Sequence, residues 1–314
     1  MNTKSLSLGI DIGGTNTAYG LVNRRGEIIA KGSIPTKGHD TVEDYIAALQ
    51  KELFPLLAKA GIEHIAGAGI GAPNGNFYTG EIIFAPNLPW KGIIPLAKLI
   101  SEALDIKAVL TNDANAAAIG EMAYGAAKGM KDFIIVTLGT GLGSGFVANG
   151  QLIYGHDGLA GELGHVIAVR NGRQCNCGRK GCLERYASAT GLVITADLWL
   201  DERNDETQLR AHKGKLTARM IQDAARNSDV LALELYEYTA AILGQTLADM
   251  VAITSPEAIV FFGGLANAGD MLLVPVKKHM EDNLLNIYKN KVTLLQSALP
   301  DADAAILGAS ALAW

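Results

Sequence analysis

Long apolar runs, charge of one dominant sign and cysteine are scarce in this 314-residue sequence. No run of roughly 18 or more apolar residues occurs, so no membrane-spanning helix is expected. Lys plus Arg total 27 and Asp plus Glu 32, a net charge of −5. That balance offers no basic surface for nucleic acid or for an anionic membrane. Met1 to Ser7 carries no apolar leader with a small-residue cleavage site, so no secretion is expected and the cytoplasm is the expected location. The only cysteines are Cys175, Cys177 and Cys182. An odd, clustered set excludes a disulfide framework and points to a metal.

Apolar residues make up 49% of the chain, enough over this length to bury a large core and to exclude disorder as the main state. The length suggests two domains. Glycine is abundant, at 36 residues, and much of it follows directly on apolar runs. Leu6 to Ile12 alternates apolar and small or polar residues as a strand does, and Gly13-Gly14-Thr15 and a second strand follow. An offset of 125 residues carries this strand, loop and strand onto another set: Leu8 onto Phe133, Gly14 onto Gly139, Thr15 onto Thr140 and Gly20 onto Gly145. The match reads as a duplicated domain. Asn149-Gly150 signals a type I′ hairpin turn. Asp40, with Glu43 three residues on, reads as the cap of a helix that Pro55 should kink or split.

The paired loops suit phosphate. Backbone amides of Gly13, Gly14, Gly139 and Gly141 can form concave nests, with the Thr15 and Thr140 hydroxyls beside them. Neither loop is a P-loop or a dinucleotide fingerprint, because neither has the required Lys-Ser/Thr or a following helix. Asp11 has no counterpart in the second copy, where Val136 stands, and a carboxylate there can hold Mg²⁺ through water. Asn112-Asp113-Ala114-Asn115 lies where a strand passes into a helix, the place where open α/β sheets put ligands. Asp113 is either an ordinary helix cap or an acid among amides that binds hydroxyls and accepts a proton. His165, Cys175, Cys177 and Cys182 make a closed Cys₃His zinc set. Glu162 and Glu184 bracket that set and read either as surface charge or as acceptors for a polyol.

Asp11-Ile-Gly-Gly-Thr15, Asn112-Asp-Ala-Asn115, Leu138-Gly-Thr-Gly-Leu-Gly143, Glu162-Leu-Gly-His165 and Cys175-x-Cys-Gly-x-x-Gly-Cys182-Leu-Glu184 together resemble the ROK family (repressors, open reading frames, kinases), in the family's order and over essentially the whole chain. The resemblance implies an α/β fold of two ribonuclease-H-like, actin-like ATPase domains around a cleft, with a zinc-binding loop. The N-terminal domain is expected to span residues 1–114 with 301–314 returning to it, and the larger domain 115–300. The implied activity is ATP-dependent phosphorylation of a hexose, usually at O6. Asp113 is the implied base, and Asn112, Asp113, Glu162, His165 and Glu184 are the implied sugar contacts. Gly13, Gly14, Thr15, Gly139, Thr140 and Gly141 would cradle phosphates, and Gly263 and Gly264 would line the adenosine. Ala85-Pro86-Asn87-Leu88-Pro89-Trp90 looks like the matching segment of the family's bacterial glucokinases, which adds Asn87 to the sugar contacts and puts glucose first among substrates. Another hexose, an N-acetylhexosamine or a non-catalytic sugar sensor are the alternatives. ATP, Mg²⁺ and structural Zn²⁺ are the implied cofactors, and a homodimer is the implied assembly. The ten residues before Asp11 leave no room for the winged DNA-binding module of the family's repressors, so no nucleic-acid partner is expected.

Overall fold

The computed structural model describes residues 4–300 and 303–314. They form two compact units. In the first, β1 (Leu6–Ile12), β2 (Asn16–Asn23) and β3 (Ile28–Pro35) lead into α1 (Val42–Ala60) and β4 (Ile65–Gly71). A small ribbon of β5 (Ile82–Ile83) and β6 (Ile93–Ile94) follows, then α2 (Leu96–Leu104), β7 (Ala108–Thr111) and α3 (Asp113–Tyr124). The second unit has β8 (Phe133–Leu138), β9 (Leu142–Ala148), β10 (Gln151–Leu152), α4 (Ala189–Glu202), α5 (Ala218–Arg226), α6 (Val230–Thr254), β11 (Ala258–Phe262), α7 (Asp270–Asn283) and β12 (Thr293–Gln296). The last helix, α8 (Ala304–Ala311), belongs to the first unit.

The two sheets share one topology. Their orders are β3-β2-β1-β4-β7 and β10-β9-β8-β11-β12. In each, the first strand pairs antiparallel with the second and parallel with the next strand inward. The duplication read from the sequence is therefore present as topology. Its detailed offset is not. Leu8 pairs with Leu21, but its counterpart Phe133 pairs with Val147, one residue further than an offset of 125 allows. The second turn holds one more residue, so Gly20 and Gly145 are not equivalent. Ladder pairing fixes register here, and matched glycines do not report it.

Local signals were also partly overridden. Thr41, not Asp40, caps α1, accepting from the Asp44 amide at 3.1 Å. The helix runs unbroken through Pro55, which sits on its exposed face. Lys51, one turn back, whose carbonyl loses its helical partner to the proline, is itself exposed. Tyr45, Ile46, Leu49, Leu53 and Leu57 form the buried stripe on the other side. Asn149 and Gly150 both have positive φ, at 53° and 73°, as a type I′ turn requires.

The units divide at Met130/Lys131 rather than at 114/115, and residues 152–160, beginning with the last residue of β10, also fall with the first unit. Packing explains the difference. A Cβ on Gly69 of β4 would lie 1.8 Å from the Ala309 carbonyl, so α8 rests directly on the strand backbone. A Cβ on Gly120 would lie 2.7 Å from Gly308 Cα, so α3 also packs closely on α8. Helix α3 is thus fixed to the first unit from its far side. Residues 303–314 fall with the first unit, and positions 301 and 302 lie outside the described residues.

Candidate active site

The first unit brings two carboxylates together at the ends of its parallel strands. Asp11 of β1 pairs with Gly71 of β4, and Gly71 pairs with Thr111 of β7. A side chain at the middle position would separate the acids: a Cβ on Gly71 would lie 3.5 Å from Asp11 Oδ1 and 3.9 Å from Asp113 Cα. Sequence pattern alone did not mark Gly71, although its place at the end of a strand was visible.

Asn112 is the N-cap of α3, its Oδ1 accepting from the Ala114 amide at 2.7 Å. The capping role weighed for Asp113 therefore belongs to its neighbour. Asp113 occupies the first helical position, where one oxygen accepts from the Ala114 amide at 2.8 Å. The positive end of the helix dipole favours its charge. Burial, and after it the Asp113 charge, push the Asp11 carboxyl up to about 7. Burial also pushes the Asp113 carboxyl above the usual carboxylate range, with the Ala114 bond opposing the rise. The Asp113 side chain nevertheless keeps an open surface toward solvent, which limits that rise.

Asp11 makes a test of this charge pair. A folded-state value above the ordinary one of about 3.9 means that the folded chain holds the proton more tightly than the unfolded chain. Stability is then lost as pH rises from about 4 to about 7, and the loss is complete above that window. Without divalent cations, Asp11→Asn should therefore melt higher than the parent protein at pH 8, and the gap should close toward pH 5. A gap independent of pH in paired melting curves would remove the buried charge from the account.

The Gly13-Gly14-Thr15 turn is braced from behind. Thr17 Oγ1 lies 2.9 Å from Thr36 Oγ1 and 2.8 Å from the Tyr45 hydroxyl, all buried. The Thr36 amide donates to the Thr15 carbonyl at 2.8 Å. Asn87 sits against this turn: a Cβ on Gly14 would lie 2.8 Å from its carbonyl oxygen. Asp11, Gly13, Gly14, Thr15, Asn87, Asn112 and Asp113 thus form one group.

The other predicted residues gather in the second unit. Gly139-Thr140-Gly141 follows β8 and Gly263-Gly264 follows β11, and these strands are parallel neighbours. A Cβ on Gly139 or Gly264 would meet nothing within 4 Å, so packing does not demand glycine at either place. Both loops therefore border open space. At Gly141 a Cβ would lie 2.9 Å from Glu184 Oε2, which puts the acid beside the Gly139-Thr140-Gly141 loop. Glu162 opens the 3-10 turn Leu163–His165, its carbonyl accepting from the His165 amide at 3.0 Å.

His165, Cys175, Cys177 and Cys182 offer four ligand atoms within 4.8 Å of one another. Cys177 Sγ and Cys182 Sγ are 3.6 Å apart, and Cys175 Sγ is 3.8 Å from His165 Nδ1. Bond lengths of about 2.3 Å to sulfur and about 2.0 Å to nitrogen give tetrahedral edges of roughly 3.5–3.8 Å. The donor set and its spacing fit a closed tetrahedral zinc site. Ligation through Nδ1 leaves Nε2 of His165 for another partner. Glu184 Oε1 lies 3.0 Å from Cys175 Sγ and 3.8 Å from His165 Nδ1, next to the cluster rather than in it. Sequence reasoning missed Arg173 and Tyr186, whose backbone and ring contacts hold this loop; neither residue type carries a motif by itself.

The ROK family pattern matches residues 7–314. The chain belongs to the ROK family. A glucokinase of Halalkalibacterium halodurans is 40% identical over 283 residues, covering 87% of this chain and 84% of its own. An N-acetylmannosamine kinase of Escherichia coli O157:H7 is 32% identical, covering 93% of this chain and 97% of its own. Among solved structures, the ROK family glucokinase of Streptomyces griseus in complex with glucose and AMPPNP is 32% identical. It superposes with a TM-score of 0.79 over 98% of each chain. The ROK fold, with two α/β sheets, is therefore common to this chain and those relatives.

Proposed function

We propose that the chain is an ATP-dependent hexose kinase that moves the γ-phosphoryl group to O6 of glucose. The observation that carries this reading is Asp113: a carboxylate at the start of α3, open to solvent, with the capping duty taken by Asn112. It stands in a chain similar to glucokinases over most of its length.

Each residue then has a task. Asp113 takes the proton of the O6 hydroxyl as that oxygen bonds the γ-phosphorus and the bond to the departing ADP breaks. Asn112 keeps its amide N–H groups for a sugar hydroxyl, since only its oxygen is used in the cap. Asn87, Glu162, Glu184 and the free Nε2 of His165 hold the remaining hydroxyls. The amides at Gly13, Gly14, Gly139 and Gly141 and the hydroxyls of Thr15 and Thr140 bind phosphate, and Gly263-Gly264 makes room for adenosine. Asp11 would hold Mg²⁺, which neutralises phosphate charge when bound. Zn²⁺ in the Cys₃His set is structural, keeping His165 and Glu184 in place. A homodimer and a cytoplasmic location complete the reading and rest on the family resemblance and on composition.

Coupled ADP release with glucose, mannose, fructose, allose and the two N-acetylhexosamines tests the proposal. Glucose should give the highest kcat/KM. The similarity to an N-acetylmannosamine kinase favours one second reading, and a higher value with that sugar would establish it. No turnover with any sugar would leave a sugar sensor. The two halves of the site should also separate by mutation. Thr140→Val should harm ATP use more than glucose binding, and Glu184→Gln the reverse, at about 1.5–3 kcal/mol of glucose affinity. Titration of each variant with each ligand checks this, and unchanged glucose affinity in Glu184→Gln would move the sugar site away from that residue.

A further inference from the structure

Arg173 lies two residues before Cys175, yet its side chain leaves the metal cluster and reaches across the loop. Its Nη1 donates to the Arg185 carbonyl at 2.8 Å, to Thr195 Oγ1 of α4 at 2.9 Å and to the Gly191 carbonyl at 3.4 Å. The guanidinium lies 4.5 Å over the Tyr186 ring, and the Arg173 amide donates to the Tyr186 hydroxyl at 2.7 Å. The Arg173 carbonyl accepts from the Gly181 amide at 2.8 Å. One residue therefore joins the arm bearing Cys175, the arm bearing Cys182 and the turn bearing Glu184, and ties them to α4. These partners are all neutral. A partly buried cation held by carbonyls and a ring face is a costly choice if only packing is needed. A long cationic side chain whose Nη1 reaches three acceptors while its plane covers a ring is what a shorter or apolar side chain lacks.

We propose that Arg173 is a positioning residue for the Glu184 turn and the metal cluster, so that sugar affinity and metal retention depend on a side chain that touches neither. The sugar half of this rests on the hexose-kinase reading above; the metal half does not. Arg173→Met, Arg173→Lys and Thr195→Val are compared with the parent protein by steady-state kinetics, by metal release to a chelator, and by the thiolate absorption of the cobalt-loaded forms.

Arg173→Met should raise the hexose KM about tenfold while kcat moves much less, and should weaken metal retention by about 10–100-fold, the usual cost of losing a group that orients ligands. Arg173→Lys should recover part of both effects. Thr195→Val, which removes one acceptor and leaves the cation, should shift both in the same direction by less and keep the question answerable if Arg173→Met folds poorly. Unchanged KM and unchanged metal retention in Arg173→Met would overturn the proposal, as would a loss confined to kcat. If the parent protein phosphorylates no hexose, the functional reading fails instead, and Arg173 is judged on metal retention and the cobalt spectrum.

Discussion

Asp113→Asn should cut kcat by about 10²–10⁴-fold, the usual contribution of a general base, while hexose affinity stays within about an order of magnitude. The substitution suits the geometry. An asparagine oxygen can still accept from the Ala114 amide, as Asp113 does at 2.8 Å, and Asn112 still caps α3. Helix and site should keep their shape, so the loss reports chemistry. The pH profile adds a second readout. Burial raises the Asp113 carboxyl, so in the parent enzyme the rate should fall as acid protonates it. That acid limb should be missing from the residual activity of the variant. A variant with near-normal turnover in single-turnover and steady-state assays would take Asp113 out of the mechanism.

The second large effect is expected at the metal cluster. The purified protein should carry about one zinc per chain, and Cys177→Ser should abolish it. Cys177 is the informative ligand because it is exposed, whereas Cys175 and Cys182 are buried. Exchanging sulfur for oxygen at an exposed position costs little packing, so a lower melting temperature reports the lost ion. We expect a fall of about 5 °C or more, accompanied by weaker sugar binding. The coupling follows from the short distances between Glu184 and the Cys175 and His165 ligand atoms. Metal analysis of active enzyme showing no zinc would sink the idea, as would a Cys177→Ser protein with unchanged stability and sugar affinity.

Much of this was legible before any coordinates, for reasons that differ by element. The hairpin at Asn149-Gly150 was readable because positive φ at two successive residues demands that residue pair. The Cys₃His cluster was readable because metal ligation requires a few residue types close in sequence. Local chemistry fixes features of that kind. The choice between Asp40 and Thr41 as a cap was not legible, since both offer an oxygen and a shift of one residue decides. The extra residue in the β8–β9 turn was masked by glycines that aligned without being equivalent. The unit boundary was hidden because α3 is held by α8, a contact between segments far apart in the chain. At the candidate site, the carboxylates of Asp11 and Asp113 and the amide of Asn112 stand out in the sequence by type and place. Arg173 does not, because its role lies in which carbonyls it reaches.

The seat of α8 on β4, and on β1 where a Cβ on Gly9 would lie 2.2 Å from the Ile306 carbonyl oxygen, has a consequence for synthesis on the ribosome. Residues 304–311 supply a helix to a sheet begun at Leu6, and the whole second unit is encoded between them. The first unit can gather its apolar core from residues 8–110, but the face of its sheet that α8 covers waits until about 300 further residues have been translated. Until then the glycine-lined faces of β1 and β4 remain uncovered. The second unit, whose sheet and helices lie within 131–297, can close on itself first. Order of folding should thus run against order of translation, and arrested chains ending before α8 should protect the later unit from protease while the earlier one remains cleavable.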